Sequence, residues 1–343
     1  MQIIKKRWVL YSSLFLWTNV TDLEITLLKN TVKQQTAPSR WLILFAFFNI
    51  YIIWGSTYLA VAYGLKGLPP FVLVGARYLV AGVVLFAWCL IKGEKLPPPN
   101  LLWRQAVSGI LMLVGGTGMI AWAELYISSG QAAILVATEP LWFLLLDKKR
   151  WGEYFRDKYI ISGLLIGFTG IFLFMKLNHS TQAATVTSTM TIIASGVVLF
   201  SAVLWVLCSL ITSNSKGNSS TIMNSGVQLL AAGFASEIIA LVKGEYIGFD
   251  VDKVPFEAWA GLVFLIVMGS FIAYLSFVWL ISIRPPALVS THTYVNPVVA
   301  VFLGWIMAGE KVSGGQLIGL VVILVGILLI NVPAYRAPAK IQE

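Results

Sequence analysis

Charged residues are scarce in this chain. Asp, Glu, Lys and Arg make up 11% of its 343 residues, whereas a typical soluble domain contains about 25%. Apolar residues make up 58% of the chain. This balance excludes a soluble domain with a charged surface, and it identifies an integral membrane protein.

Several motifs of chemistry are also missing. The chain has two cysteines, Cys89 and Cys208, which read as small apolar fillers within helices and imply no disulfide framework. A Gly-rich phosphate loop with Lys and Ser/Thr is absent, which argues against ATP-driven action. The chain also lacks a His-Glu-x-x-His motif and paired intramembrane aspartates, so we predict no enzymatic activity, no metal site and no cofactor.

What the chain has instead is a series of long apolar segments. A hydrocarbon core of about 30 Å needs roughly 20 apolar residues per helix, and backbone groups in lipid need internal partners, so the spanning elements must be helices. The sequence predicts an all-α integral membrane protein with ten transmembrane helices and no soluble domain. They run over residues 41–63, 71–91, 105–127, 130–147, 158–177, 189–212, 221–243, 256–282, 286–308 and 316–333.

The net charge of +9 is distributed as an orientation signal. If the first helix enters from the cytoplasm, most Lys and Arg fall in inner loops and tails, which favours cytoplasmic termini by the positive-inside rule. No basic patch with interleaved aromatic residues remains, so nucleic acid is not expected as a partner. The outer loops hold Lys66, Lys176, Lys243, Lys253 and Lys311, and the inner loops and C-terminal tail hold Arg40, Lys92, Lys95, Arg104, Lys148, Lys149, Arg150, Arg156, Lys158, Lys216, Arg284, Arg336 and Lys340.

The first forty residues resemble the start of a signal peptide, because a basic cluster precedes the apolar run Trp8–Val20. No small-residue cleavage site follows, and the run is too short to span a bilayer. We therefore expect residues 1–40 to form a cytoplasmic or interfacial tail, and residues 334–343 to form a second cytoplasmic tail.

The chain contains one membrane unit twice. Glu139-Pro140 corresponds to Asn296-Pro297 at a shift of 157 residues, and Gly163 and Gly170 correspond to Gly319 and Gly326 at a shift of 156. Residues 41–177 and 189–333 then form repeats of five helices each. Because five is odd, the second repeat must enter the membrane from the opposite side, as in alternating-access transporters with a midplane site.

Several motifs resemble the ten-helix EamA-type branch of the drug/metabolite transporter superfamily. They are Ile53-Trp54-Gly55-Ser56-Thr57-Tyr58, Leu68-Pro69-Pro70-Phe71 with Ala76-Arg77-Tyr78, and Tyr294-Val295-Asn296-Pro297 with Gly309-Glu310-Lys311. The resemblance covers roughly residues 41 to 333. It implies an inner-membrane exporter of amino acids and related metabolites.

Glu139 and Asn296 are the first candidate site residues. Glu139 lies nine residues into its helix, about 14 Å deep and close to the midplane, and Asn296 reaches a similar depth from the other side. A carboxylate there costs roughly 2.5–3.5 kcal/mol, so a functional role is favoured. Glu139 would bind a substrate ammonium or carry a coupling proton, and Asn296 would hydrogen-bond the ligand. The alternative is a proline kink with Glu139 bonded to a neighbouring helix.

Four more polar side chains extend this candidate site. His292 shares a helix face with Asn296 and suits proton coupling or carboxylate recognition, although it could equally be a packing residue. Tyr294 lies between them. Arg77 and Glu124 have similar predicted depths, which allows an ion pair or a clamp for a substrate carboxylate. Glu237 is a competing partner for Arg77, and snorkelling of Arg77 toward the interface is the alternative.

Trp54 and Trp205 complete the candidate set because the repeat makes them equivalents. An aromatic-lined cavity would suit apolar or aromatic solutes, whereas packing is the alternative role.

Together these features predict a secondary transporter that exports small metabolites such as amino acids through a midplane cavity. Import or exchange of another small organic solute remains an alternative, followed by a channel or an intramembrane enzyme. The expected partners are a small-molecule substrate, the lipid bilayer and a coupling proton, and the expected state is a monomer or weak homodimer.

Overall fold

The computed structural model describes residues 38–148, 151–177, 188–213, 220–284, 286–309 and 314–336. The chain divides into two compact units, Met1–Leu44 and Phe45–Glu343. Of the first unit, residues 38–44 are described, and the first helix begins within them at Arg40. The helix packing and the cavity belong to the second unit. Most of both predicted tails lies outside the described residues.

Helices dominate the described ranges, and no β-strand occurs within them. In this part of the chain, seven helices are long and apolar enough to cross a membrane, and three shorter apolar helices accompany them, which confirms the predicted all-α, ten-helix membrane fold. The helices are α1 (Arg40–Gly64), α2 (Pro70–Ile91), α3 (Pro99–Ala123), α4 (Ser129–Leu146), α5 (Lys158–Leu177), α6 (Ser188–Ser213), α7 (Thr221–Val242), α8 (Phe256–Ile283), α9 (His292–Ala308) and α10 (Gly314–Arg336).

The ninth predicted helix differs from the observed one. A continuous helix over 286–308 was expected, but a short helix, Pro286–Val289, ends before α9 begins at His292. The side chains of Thr291 and Thr293 donate hydrogen bonds to the carbonyls of Leu288 and Ser290, at 2.6 and 2.8 Å. Side-chain bonds of this kind compete with the helix backbone pattern, and here they accompany the break.

The helix contacts follow the inverted repeat. The equivalent helices α2 and α7 pack against each other, as do α5 and α10. The repeat also relates contacts between non-equivalent helices. Helix α1 packs on α8 and α9, and its equivalent α6 packs on their equivalents α3 and α4. The two halves therefore enclose a shared centre that helices from both repeats line.

Glycines allow α5 and α10 to approach closely. A Cβ atom added at Gly170 would lie 2.6 Å from the backbone nitrogen of Ile323, and one at Gly326 would lie 2.5 Å from the backbone nitrogen of Gly167. Small residues permit such backbone contact between helices in lipid. This pair forms scaffold, and none of its described residues lines the central cavity.

Two wide π-type turns occupy equivalent places in the repeats. They span Ile110–Gly118 in α3 and Leu265–Ala273 in α8, and a third spans Asn49–Ile53 in α1. A π-type turn contains more residues than a regular turn and is frequent at functional sites. The first two turns supply several residues that line the cavity, among them Gly116, Thr117, Gly269 and Ser270.

Candidate functional site

A cavity of about 70 Å³ lies between the repeats. One water needs about 10–15 Å³ of such volume, so the cavity has room for several water-sized groups. Its walls come from α1, α2, α3, α4, α6, α8 and α9. Seven residues predicted from the sequence line it: Trp54, Arg77, Glu124, Glu139, Trp205, His292 and Asn296.

Glu139 is buried in the cavity wall, with 4% of its surface exposed. Helix α4 is interrupted at Ala137–Thr138, and its second part begins at Glu139. The Oε2 atom has no hydrogen-bond partner among the described residues. Since leaving a buried polar atom unmet costs about 1–3 kcal/mol, this oxygen is suited to meet a ligand or a proton.

Asn296 is the repeat equivalent of Glu139 and lines the same cavity, but its amide nitrogen hydrogen-bonds the protein backbone. Oriented with its nitrogen toward backbone carbonyls, the side chain donates to the oxygens of His292 and Tyr51 at 2.9 and 3.0 Å. Tyr51 lies in the wide turn of α1, where the regular helix pattern changes. The amide oxygen is then the atom that Asn296 can offer to a ligand.

His292 belongs to an aromatic cluster beside the cavity. The cluster comprises Trp54, Trp205, Phe277 and His292. The Trp54 ring centroid lies 5.5 Å from that of Trp205, 5.0 Å from Phe277 and 4.9 Å from His292. The two tryptophans, which the repeat makes equivalent, thus meet each other, and edge or tilted ring contacts favour this packing.

Arg77 is buried at 7% exposure and lines the same cavity as Glu124. Its Nε atom donates to Ser270 Oγ at 2.8 Å, and its guanidinium lies 5.0 Å from the Tyr78 ring centroid. Burial within the cavity wall is incompatible with snorkelling to the interface. Glu237, the competing partner considered from the sequence, accepts a hydrogen bond from Tyr246 instead.

Tyr294 is the predicted residue that is not among the described residues lining the cavity. It packs in an apolar core with Ile134, Leu141 and Ile323. Successive helix residues are about 100° apart, so Tyr294 lies nearly opposite the face that His292 and Asn296 share. It supports the contact of α9 with α4 and α10.

The family is decided by the sequence matches. The EamA-like transporter family matches residues 40–176 and 189–332, which covers both repeats. The chain belongs to the EamA-like transporter family. It is therefore a membrane transporter of the drug/metabolite transporter superfamily, as the motifs indicated.

Individual members of this family are similar over most of the chain. The inner membrane transporter YedA of Escherichia coli (strain K12) is 34% identical over 304 residues, which cover 86% of this chain and 92% of YedA. Protein PecM of Dickeya dadantii is 27% identical, over 81% of this chain and 89% of PecM. A solved structure titled "Crystal structure of protein" matches 87% of this chain with a TM-score of 0.64 at 20% identity, which concerns the fold alone.

Sequence reasoning missed several polar groups of this transporter cavity. Thr57, Thr117, Ser201 and Ser270 all line it, yet in the sequence they are isolated hydroxyl residues in apolar helices. Phe277 was missed as well, because a phenylalanine in a membrane helix carries no distinguishing signal. The wide turns that bring Thr117 and Ser270 to the cavity leave no periodic pattern to read.

The loop between α7 and α8 is hydrogen-bonded to the start of α2. Glu245 Oε2 accepts hydrogen bonds from the backbone nitrogens of Phe71 and Val72, at 2.9 and 3.2 Å, and so caps the N-terminus of α2. Burial, together with the hydrogen bond to Glu237, raises the pKa of Tyr246 to about 12. Tyr246 therefore stays protonated near neutral pH and remains a donor to Glu237.

Proposed function

We propose that this transporter exports small metabolites such as amino acids by alternating access around the cavity between its repeats. The observation that carries the proposal is the opposite chemistry of two buried cavity groups. Glu139 offers an unpartnered carboxyl oxygen, and Arg77 offers guanidinium donors. An amino acid brings an ammonium group to the first and a carboxylate to the second, which matches both.

Coupling to a proton gradient is part of the proposal. Glu139 and His292 can both bind a proton, and both line the cavity that the substrate enters. Opposed rocking of the two repeats would expose this cavity to each side in turn. A monomer suffices for this cycle, because one chain supplies both repeats.

Transport in inside-out vesicles tests the proposal directly. We expect vesicles that contain the protein to accumulate at least one amino acid from a panel, and we expect a protonophore to reduce that accumulation. Vesicles without the protein are the control. Equal accumulation in both preparations for every amino acid, together with uptake into right-side-out vesicles, would contradict export of amino acids.

The proposed orientation has its own measurement. We expect both termini to face the cytoplasm, because Lys and Arg concentrate in the loops on that side. A reporter enzyme that is active only in the periplasm should be silent when fused after Glu343 and active when inserted in the loop near Gly248. Reversed activities would overturn the orientation.

A further inference from the structure

Three hydroxyl groups in the cavity wall already donate their protons in hydrogen bonds to the backbone. Thr57, Ser201 and Ser270 each donate to a backbone carbonyl of their own helix. The acceptors are Trp54 O at 2.6 Å, Val198 O at 2.7 Å and Leu265 O at 3.1 Å. A hydroxyl has one proton and two lone pairs. These three oxygens can therefore accept a further hydrogen bond but cannot donate one, and Ser270 already uses one lone pair to accept from Arg77 Nε.

Tyr274 is held in the same state by two glutamines outside the cavity. Its hydroxyl donates to Gln228 Oε1 at 2.6 Å, and Gln228 Nε2 donates to Gln105 Oε1 at 2.7 Å. All three side chains are buried, with 3% exposure or less. Because Gln105 holds the amide nitrogen of Gln228, the amide oxygen points to Tyr274 and fixes the direction of its proton.

Tyr78 follows the same rule through Thr117. The Thr117 hydroxyl donates to Leu113 O at 2.8 Å, so Tyr78 supplies the proton in the hydrogen bond between the two side chains. The Tyr78 oxygen then has no further proton to donate and can only accept.

Two nitrogen-bearing side chains add further acceptors. His292 Nδ1 lies 2.9 Å from Val289 O, and since a carbonyl only accepts, Nδ1 carries the proton. In the neutral ring, Nε2 is then an acceptor. Asn296 directs its nitrogen to backbone carbonyls and keeps its oxygen.

Donors on the described cavity wall are fewer than acceptors. Arg77 is the cationic side chain among the lining residues. Two neutral donors also line the cavity: the Tyr58 hydroxyl, for which the described residues show no acceptor, and the indole N–H of Trp205, which has no hydrogen-bond partner among them. The acceptors on the wall are the carboxyl oxygens of Glu124 and Glu139, together with the hydroxyl, imidazole and amide acceptors described above.

We propose that this cavity selects solutes that bring their own N–H donors, such as an ammonium or guanidinium group, over solutes that bring only acceptors. In this scheme Gln105 and Gln228 are positioning residues, because they hold the Tyr274 proton away from the ligand. A site built from acceptors rejects an acceptor group, since the facing lone pairs stay unmet. The inference rests on the proposed function in one respect, that the substrate occupies this cavity.

Calorimetric titration of the purified full-length protein with two matched probes tests this selectivity. Phenethylamine carries an ammonium group, and 3-phenylpropionate carries a carboxylate on a skeleton of similar size. We expect the amine to bind at least tenfold more tightly than the acid. In Gln228→Leu the Tyr274 proton is released to the cavity, so we expect amine affinity to fall about fivefold and acid affinity to rise.

Tyr274→Phe is the second variant, and it decides the matter if Gln228→Leu does not fold. Its ring keeps the packing and loses the acceptor, so amine affinity should fall about fivefold while acid affinity stays constant. Ser236→Ala is the matched control. Ser236 is a buried hydroxyl of α7 that bonds its own helix and does not line the cavity, so both affinities should be unchanged.

The outcomes separate the inference from the proposed function. Equal binding of the two probes, tighter binding of the acid, or no binding of the amine overturns the selectivity. A fall by the same factor for both probes in Gln228→Leu or Tyr274→Phe overturns the positioning role. Selective amine binding with no amino-acid accumulation in vesicles supports the inference and contradicts only the proposed export.

Discussion

Glu139→Gln is expected to reduce the transport of ammonium-bearing solutes by about 30-fold or more. Glutamine keeps the size of the side chain but removes the negative charge that a buried ammonium group requires. Removing one partner of a buried charge pair costs about 2 kcal/mol or more, which corresponds to about 30-fold in affinity. The amide also cannot bind and release a proton, so any pH dependence that Glu139 contributes to transport should disappear.

Vesicle transport at several pH values measures both effects. Glu257→Gln is the matched control, because Glu257 is an exposed carboxylate in the first turn of α8 and does not line the cavity. The control should transport as the unaltered protein does. If Glu139→Gln matched it at every pH and for every substrate, the carboxylate would have no role in binding or coupling.

Gly170→Leu should prevent the normal packing of α5 on α10. Even a Cβ atom at this position would lie 2.6 Å from the backbone nitrogen of Ile323 and 3.1 Å from Gly319 O. Backbone atoms cannot move aside as a flexible side chain can, so the helices must separate. Overpacking in a close-packed interior costs roughly 1–3 kcal/mol, and a leucine pressed against backbone should reach at least the upper end.

We expect the purified variant to unfold at a clearly lower temperature and to contain less monodisperse protein on size exclusion. Gly196→Leu is the control, since a Cβ atom at Gly196 would meet nothing within 4 Å among the described residues, and the residue also lies within a helix. Equal melting temperatures for the two variants would show that the α5–α10 contact contributes little to stability.

The sequence predicts the fold well because hydrophobic length and an internal repeat are strong signals. Charged residues within membrane helices are equally informative, because burying a charge in the bilayer costs free energy and so indicates a functional role. Glu139 and Arg77, which lie on different helices, were selected on that basis, and the structure brings both to one cavity. Their roles in binding remain predictions.

Other features leave no such trace. Helical periodicity separates Tyr294 from His292 and Asn296, yet their closeness in sequence grouped them. The sequence does not show that the hydroxyls of Thr57 and Ser201 act as acceptors in the cavity. That role depends on the direction of their hydrogen bonds, which only the three-dimensional structure shows. The wide turns in α3 and α8 carry no local sequence pattern that would predict them.

The contact between α5 and α10 has the reciprocity of an interface between two identical subunits. Gly163 meets Gly326 and Gly170 meets Gly319, and the repeat exchanges one contact for the other, as in an isologous dimer. In such a dimer both subunits have the same sequence, so each residue of the central site would occur twice, as two carboxylates or as two amides. Joining the halves in one polypeptide removes that constraint. One chain can therefore carry Glu139 on one side of the pseudo-axis and Asn296 on the other.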